Sequence, residues 1–438
     1  MIRLVVVRHG RTALNTGEGM AERFRGSIDL PLAPDGLAQA RVTARRLADQ
    51  PLTAVYSSPL RRAHSTAEIL ARPHGLPVQV LPGLRTMSFG RWAGRRHADV
   101  ARDWPDLYAA WRRDPLGIEV PGGESVAGLQ ERALAAVRDV VARHAPGETL
   151  LLVTHQAVTR LLACGLLELP NAAYWQIQQD LCNLTSYLYN PRSGRFSVEY
   201  LNDTCHLDPA LPPHRGPGLR LLLVRHGQTA WNLGAGPERF RGRMDLPLDP
   251  TGQAQAEAVG RRLATADISA IYASPLQRAR QTAAPLADRL GLPVQPHEGL
   301  LDVNYGLWQG LTHSEAATAY PELHRLWSTS PDRVRFPEGE SLAGVRDRLH
   351  ALLGQLAEVH PGQTVVLVGH QIVNKVLVCA LLDLELDQID RIGQEPAALN
   401  VFDQQPGRWD LLHLNDCCHL AAANQGPWPA PDEPGQTA

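Results

Sequence analysis

One stretch occurs twice in this 438-residue chain, and it constrains the fold more than any other feature. The first copy spans residues 4–15 and the second spans residues 221–232. In both, an aliphatic run ends in the pattern Arg-His-Gly-x-Thr-x-x-Asn. A continuous apolar run that stops at polar residues is typical of a buried parallel strand. We therefore predict a chemical site at the end of this strand in each copy, rather than a simple charged strand end.

The repeat continues through both halves with a period of about 216 residues. Matching segments include Asp-Leu-Pro-Leu, Ser-Pro-Leu and a closing Leu-Asn-Asp-x-Cys-His-Leu. A period of this length indicates a duplicated domain rather than a solenoid of short repeats. We predict domains at 1–207 and 219–423, joined by a Pro/Gly-rich linker at 208–218 and followed by a disordered tail at 424–438.

Composition argues against several classes of protein. The 43 Lys and Arg residues balance 45 Asp and Glu residues, so no attraction to nucleic acid or to an anionic membrane is predicted. No run approaches the roughly 18 apolar residues of a membrane span. The amino end leads into a strand without the apolar core and cleavage site of a signal peptide. Because the six cysteines show no metal-binding spacing and are too few for a disulfide scaffold, we expect a cytoplasmic protein.

Each half alternates apolar strands with amphipathic helices. Asp35 is predicted to cap the first helix. Ser58 and Ser274 are predicted N-caps with proline at the first helical position, which places Arg62 and Arg278 in the first turns of helices. Three strands in each half end in polar residues, and in doubly wound sheets ligands bind outside the carboxyl ends of the strands. The predicted fold class is α/β, as two copies of a three-layer α/β/α sandwich with a mostly parallel sheet.

Histidines and arginines at these strand and helix ends form the candidate sites. They are Arg8, His9, Arg62 and His155 in the first half, and Arg225, His226, Arg278 and His370 in the second. Arginine binds phosphate through a fixed fork of donors. A neutral histidine can attack phosphorus to give a phosphohistidine, which water then hydrolyses. Metal binding is the competing use of two histidines, but an arginine-lined pocket would repel a cation.

From the Arg-His-Gly strand to the Asn-Asp-x-Cys-His-Leu close, both halves resemble the histidine phosphatase superfamily in its phosphoglycerate mutase-like branch. The resemblance implies a tandem duplication of that fold. It also implies that His9 and His226 are the phosphorylated nucleophiles, and that no metal or other cofactor is needed. The implied phosphate pockets consist of Arg8, Asn15, Arg62 and His155, and of Arg225, Asn232, Arg278 and His370.

The halves differ at the position of the family's proton donor, the glutamate of Leu-x-Glu-x-x-x-Gly-x-Trp-x-Gly. Thr86 stands there in the first half and cannot act as an acid, whereas Asp302 in the second half keeps a shorter, displaced carboxyl group. General acid catalysis is worth roughly 10²–10⁴ in rate, so we predict that the second domain is the more active. Glu22 and Glu238 follow the nucleophiles and are either substitute acids or salt-bridged loop residues.

These features favour a phosphomonoester hydrolase that acts on a small phosphorylated metabolite, with no nucleic acid or membrane partner. Each half has about 210 residues and lacks a long insertion like the one that covers the substrate in the mutases. Two alternatives stay open: phosphoglycerate mutase-type transfer, and a phospho-ligand-binding or regulatory protein with a degenerate first domain. Because family members often dimerise, the linker would permit an internal pseudo-dimer of the two halves.

Overall fold

The structure is a computed structural model that describes residues 1–15, 22–232 and 238–420. The described chain divides into two compact units, the first comprising Met1–Asp208 and the second beginning at Pro209. The predicted disordered tail at 424–438 lies outside the described residues. Within those residues, every helix is too short or too polar to cross a membrane.

The first unit is built on a sheet of six described strands. They are β1 (Ile2–Arg8), β2 (Leu52–Ser57), β3 (Val78–Val80), β4 (Thr149–Thr154), β5 (Leu184–Asn190) and β6 (Arg195–Asp203). Their order is β3-β2-β4-β1-β5-β6. The pairs from β3 to β1 are parallel, whereas β5 pairs antiparallel with both β1 and β6. Every residue of β1 and β4 is buried, which explains why both strands are continuous apolar runs in the sequence.

Helices cover both faces of this sheet. They are α1 (Pro34–Leu47), α2 (Arg61–Ala71), α3 (His97–Asp103), α4 (Pro105–Arg113), α5 (Val126–Ala142), α6 (Gln156–Leu166) and α7 (Ala173–Gln176). Helix α1 buries residues spaced three and four apart, such as Ala40, Ala44 and Leu47, as its amphipathic pattern predicts. The aromatic side chain of Trp111 on α4 packs edge-on against Trp92 and Trp175.

The second unit repeats this topology. Its strands are β7 (Arg220–Arg225), β8 (Ala270–Ala273), β9 (Val294–Pro296), β10 (Thr364–Gly369), β11 (Leu399–Gln405) and β12 (Arg408–Asp416). Its helices are α8 (Pro250–Leu263), α9 (Gln277–Leu290), α10 (His313–Ala319), α11 (Pro321–Thr329), α12 (Leu342–Val359) and α13 (Gln371–Leu381). The strand order is β9-β8-β10-β7-β11-β12. The predicted α/β sandwich with a mostly parallel sheet is confirmed in both units. The antiparallel pairing of β5 and of β11 with their neighbours was not predicted.

The predicted N-caps at Ser58 and Ser274 were wrong. Helices α2 and α9 begin three residues after these serines, so the prolines also lie outside the helices. The first backbone N–H of each helix donates instead to a carboxylate from a distant loop, Asp29 Oδ1 at 2.8 Å and Asp245 Oδ1 at 2.7 Å. A side chain far away in sequence thus replaces the local cap, and each serine hydroxyl stays available for other contacts.

The predicted cap of the first helix was also wrong. Ala33 is the N-cap of α1, and Asp35 is the second residue of the helix, where its carboxylate forms an ion pair with Arg11 at 3.0 Å. A negative charge in the first turn still interacts favourably with the helix dipole. Arg62 and Arg278 are the second residues of their helices, so the prediction that they lie in first turns is confirmed.

Candidate active site

The two candidate histidines of each unit follow neighbouring parallel strands. Strands β1 and β4 are paired with Arg8 opposite Thr154, and the His9 backbone N–H donates to Thr154 O at 2.9 Å. His155 is the next residue after that threonine. The rings of His9 and His155 are 5.1 Å apart between centroids, and those of His226 and His370 are 5.2 Å apart. The structure therefore brings each predicted histidine pair together at one edge of its sheet.

In each candidate nucleophile, His9 and His226, one ring nitrogen is fixed by a backbone carbonyl. His9 Nδ1 lies 2.7 Å from Gly10 O, and His226 Nδ1 lies 2.6 Å from Gly227 O. Because a carbonyl only accepts hydrogen bonds, Nδ1 carries the hydrogen and Nε2 keeps its lone pair. Burial, followed by the adjacent arginines, lowers the pKa of both histidines well below the usual range. Each ring is thus a neutral imidazole with a nucleophilic Nε2.

The turn after the nucleophile depends on a glycine and on a threonine that was not predicted. A Cβ atom at Gly10 would lie 2.5 Å from the carbonyl oxygen of Gly36, so no larger residue fits. The Gly10 N–H donates to Thr66 Oγ1 at 3.1 Å, and that hydroxyl donates to Arg62 O at 2.7 Å. Thr282 makes the same two contacts in the second unit. The pattern Arg-x-x-x-Thr at matching positions of both halves was the signal for it.

Arg8 and Arg225 each present a buried donor that has no partner among the residues that the structure describes. Each donates one hydrogen bond from Nη1, to the carbonyl oxygens of Gln179 at 2.6 Å and of Gln394 respectively. Within the described residues the Nε atom of both arginines is buried and unpaired. Burial, and then a nearby second arginine, lowers the pKa of Arg8 to about 9 and that of Arg225 to about 10. Because an unpaired buried donor is costly, these groups favour binding of an anion.

Arg62 binds both the loop that precedes its helix and the nucleophile. Its Nη1 donates to Ile28 O at 2.7 Å and its Nη2 donates to Gly26 O at 2.9 Å. Its Nε donates to His9 Nε2 at 3.1 Å, the nitrogen that would attack phosphorus. Three of the five guanidinium donors are thus engaged, and two are left for an oxyanion. Burial, and then a nearby arginine, lowers the pKa of Arg62 to about 10.

Arg278 holds its loop in the same way but interacts with different partners. Its Nη1 donates to Met244 O at 2.7 Å and its Nη2 donates to Gly242 O at 2.7 Å. The Nη2 group also forms an ion pair with Asp302 Oδ2 at 3.0 Å, and Nε donates to His370 Nδ1 at 3.2 Å. Asp302 Oδ2 lies 3.6 Å from the same histidine nitrogen. The carboxylate therefore belongs to the predicted site in the second unit.

The second histidine of each pair has one nitrogen without a partner among the described residues. His155 Nε2 lies 2.8 Å from Ser58 Oγ, while its buried Nδ1 is unpaired. In the second unit it is the buried Nε2 of His370 that is unpaired. Burial, followed by the neighbouring histidine and arginine, lowers the pKa of His155 and His370 well below the usual range. Ser58 was predicted only as a cap, so its contact with His155 was missed.

Asn15 and Asn232 shape the loop that follows the nucleophile. Asn15 Oδ1 accepts from the backbone N–H and the hydroxyl of Thr12, both at 2.8 Å. Asn232 Oδ1 accepts from the same groups of Thr229 at 2.8 and 2.9 Å. Because the amide oxygen is engaged, Nδ2 is the group that each asparagine can offer to a phosphate oxygen.

The proton-donor positions are buried in both units. Thr86 is 7% exposed and Asp302 is 6% exposed, so both occupy equivalent protected places. The Thr86 carbonyl accepts a hydrogen bond from Arg132 Nη2 at 3.3 Å. Asp302 Oδ1 accepts from the Val303 N–H at 2.9 Å, which leaves Oδ2 for the arginine. The carboxyl group of the second unit thus has no chemical counterpart at Thr86.

Glu22 and Glu238 are salt-bridged loop residues. Glu22 Oε1 lies 2.9 Å from Arg25 Nη2, and Glu238 Oε1 lies 3.4 Å from Arg241 Nη1. The two arginines were not predicted as site residues, although each belongs to a repeated Glu-Arg-Phe-Arg-Gly segment. They lower the pKa of the neighbouring site arginines by repulsion. Across the described ranges, no group of three or more His, Cys, Asp or Glu side chains could hold a metal ion.

The family model of the histidine phosphatase superfamily (branch 1) matches residues 4–204 and 221–417. The chain belongs to this superfamily. The phosphoserine phosphatase 1 of Hydrogenobacter thermophilus is 34% identical over 202 residues, which cover 46% of this chain and 94% of that protein. The predicted family and its tandem duplication are thereby confirmed.

Two further relatives of this histidine phosphatase each cover less than half of the chain. The adenosylcobalamin/alpha-ribazole phosphatase of Salmonella typhimurium is 32% identical, over 41% of this chain and 86% of its own length. The probable phosphoglycerate mutase GpmB of Yersinia pestis is 30% identical, over 44% of this chain and 87% of its own length. The relatives named as phosphatases confirm the prediction that the protein is a phosphatase.

Proposed function

We propose that both units hydrolyse small phosphomonoesters through a phosphohistidine, and that the second unit is the more active on alkyl phosphates. The observation that carries the proposal is the neutral imidazole of His226, held through Nδ1 beside unpaired arginine donors. The same arrangement surrounds His9. An anionic phosphoryl group would supply the missing acceptors and place phosphorus next to Nε2.

In the second unit the reaction would proceed in two steps. His226 Nε2 attacks phosphorus while the bond from phosphorus to the leaving oxygen breaks. Asp302, which takes up a proton when the bound phosphoryl group replaces it on Arg278, gives that proton to the leaving oxygen. The resulting Asp302 carboxylate then takes a proton from water, whose oxygen attacks the phosphohistidine and releases inorganic phosphate. The proximity of Asp302 to Arg278 and His370 supports this role, because both residues border the phosphate pocket.

The buried Arg/His pockets support a small phosphorylated metabolite as the substrate. Two relatives are named as a phosphoserine phosphatase and an alpha-ribazole phosphatase, which agrees with alkyl phosphate substrates. A second candidate, phospho-ligand binding without turnover, applies to the first unit only. It is favoured there because Arg62 occupies the lone pair of His9 and because Thr86 cannot donate a proton.

The test uses p-nitrophenyl phosphate with EDTA present. We expect hydrolysis, and an acid-labile phosphate on His226 and His9 after rapid quenching and mass spectrometry. His226→Ala should remove the label from the second unit alone. Loss of activity on chelation with recovery on adding a divalent cation would contradict the proposal. Interconversion of 3-phosphoglycerate and 2-phosphoglycerate that outpaces phosphate release would favour a mutase instead.

A further inference from the structure

One segment of the first unit links the phosphate pocket to two further arginines. Going outward, the carbonyl of Gln179 accepts from Arg8 Nη1 at 2.6 Å, and the carbonyl of Ile177 accepts from Arg160 Nε at 2.9 Å. Arg160 lies on α6, one turn after the residue that follows His155. Within this segment, Gln179 therefore holds Arg8 inside the pocket, and Ile177, two residues earlier, holds Arg160 beside it.

The third cation is Arg112 on α4, which contacts the same segment at Trp175. The guanidinium of Arg112 lies 4.7 Å from the centre of the Trp175 ring, and that of Arg160 lies 5.7 Å from it. Exposure rises along the row, since Arg8 is buried, Arg160 is half-buried and Arg112 is exposed. In the described part of the chain, neither Arg112 nor Arg160 forms an ion pair with an acidic side chain. The row is thus a positively charged path that leads out of the pocket.

The second unit does not repeat this path. At the matching positions it has Ser328 in place of Arg112, Lys375 in place of Arg160 and Asp390 in place of Trp175. The serine and the aspartate are both exposed. One cation is therefore lost, and a carboxylate replaces the aromatic ring. Near Asp390 an anionic substituent would meet repulsion rather than attraction.

We propose that the first unit selects phosphomonoesters whose alcohol part carries a second anionic group, a carboxylate or another phosphate, which Arg112 and Arg160 bind beside the Trp175 ring. The inference rests on the proposed phosphatase function and assigns a substrate class to its first site. Arginine forms charge-assisted, bidentate hydrogen bonds to both kinds of anion. Stacking on an indole holds the guanidinium in place while its N–H edge stays free to bind.

The test compares matched esters with the full-length His226→Ala protein, in which only the first site turns over. The pairs are 3-phosphoglycerate with glycerol 3-phosphate, and fructose 1,6-bisphosphate with fructose 6-phosphate. We expect a higher kcat/KM for the more anionic member of each pair. Replacing Arg112→Ser together with Arg160→Lys should lower that preference by about tenfold, because charge-assisted contacts are lost. Arg113→Ser, an exposed neighbour on the same helix, is the matched control and should leave the preference unchanged.

The reciprocal exchange is made in the full-length His9→Ala protein. Ser328→Arg together with Asp390→Trp should raise the preference of the second site for the more anionic esters. An effect for 3-phosphoglycerate without one for the bisphosphate would restrict the bound group to a carboxylate, within the proposal. A preference that is absent in the first site, or that is the same after the double replacement as after Arg113→Ser, would overturn the inference.

Failure of the inference and failure of the phosphatase function give different results. If the His226→Ala protein hydrolyses none of the esters, the proposed function fails for the first unit. Calorimetric binding then decides, using 3-phosphoglycerate and glycerol 3-phosphate with the parent chain and with the Arg112→Ser, Arg160→Lys chain. The second site is common to both proteins, so any difference belongs to the first. If the Arg112→Ser, Arg160→Lys chain binds 3-phosphoglycerate more weakly but glycerol 3-phosphate equally well, the proposed anion site is supported. Equal binding of both esters by the two chains would overturn it.

Discussion

The two active sites use the same arginine in different ways. Arg62 and Arg278 occupy the same helix position and hold the same pair of loop carbonyls. Arg62 directs Nε to the attacking nitrogen of His9, whereas Arg278 bonds to Asp302 and to His370. One buried carboxylate therefore decides where the guanidinium points. In the described residues His226 Nε2 has no hydrogen-bond donor, and its lone pair is free for a phosphoryl group.

The threonine at the donor position thus has two consequences for the first site. Thr86 offers no proton to a leaving oxygen. It also offers no charge to attract Arg62, which takes the lone pair of His9 instead. A ligand has to displace this hydrogen bond before attack can begin. We expect both effects to slow the first site, and both depend on the single position occupied by Thr86 and Asp302.

The largest expected effect comes from removing each nucleophile in turn. On an alkyl phosphate, His226→Ala should reduce the rate by about 10²–10⁴, because only the site without an acid remains. His9→Ala should change it little. On an aryl phosphate the two losses should be closer, since a phenolate leaves without a proton. Steady-state rates on one ester of each type measure this contrast. Equal losses on the alkyl ester would mean that another acid, first of all Glu22, serves the first site.

The next effect isolates the acid itself. Asp302→Asn keeps the size of the side chain but cannot donate the proton, so alkyl turnover should fall by about 10²–10³ while aryl turnover is largely retained. Asp302→Glu, which restores the carboxyl group usual in this branch, is the control and should retain most alkyl turnover. Parallel losses on both ester types would assign Asp302 to phosphate-site geometry rather than to proton transfer.

A smaller gain is expected from making the first site resemble the second. In the His226→Ala background, Thr86→Asp should raise alkyl turnover about ten- to hundredfold, because the new carboxyl group supplies a proton and draws Arg62 away from His9. Thr86→Asn offers a similar shape without the acid and is the matched control. Should both variants gain equally, the benefit would come from moving the arginine alone.

The smallest effect concerns stability at acidic pH. The pKa of the four active-site histidines lies below that of an unfolded histidine, near 6.5, mainly through burial. As pH falls below about 6.5, the unfolded chain binds protons that the folded chain does not. The free energy of unfolding therefore falls by up to about 1.4 kcal/mol per pH unit for each histidine, and this loss is absent above that pH.

Denaturant unfolding from pH 7 to pH 5 tests this linkage. In the His226→Ala protein the free energy of unfolding should fall less steeply with decreasing pH, by the equivalent of about one bound proton. His350→Ala removes an exposed histidine and should leave the slope of the parent protein unchanged. A slope that is the same in all three proteins would contradict the lowered pKa of His226, because it would mean that the folded and unfolded states bind this proton equally.

The family, the duplication and the residues that meet at each site could all be predicted from the amino-acid sequence. Apolar runs that end in Arg-His-Gly predict buried strands, and strand ends converge at one edge of a parallel sheet. Local pattern was enough for these features because each depends on a few consecutive residues. The altered donor at Thr86 was equally visible, since the second half of the chain provides its own comparison.

The hydrogen-bond partner of each polar group could not be predicted in the same way, because it depends on the folded arrangement. The caps of α2 and α9 come from Asp29 and Asp245, which lie 32 residues away, so no local rule could identify them. Arg62 bonds to His9 because the neighbouring loop has Thr86, not a carboxylate, at the position of Asp302. A guanidinium has five donors and several acceptors within reach, and only the folded arrangement of charges fixes its choice.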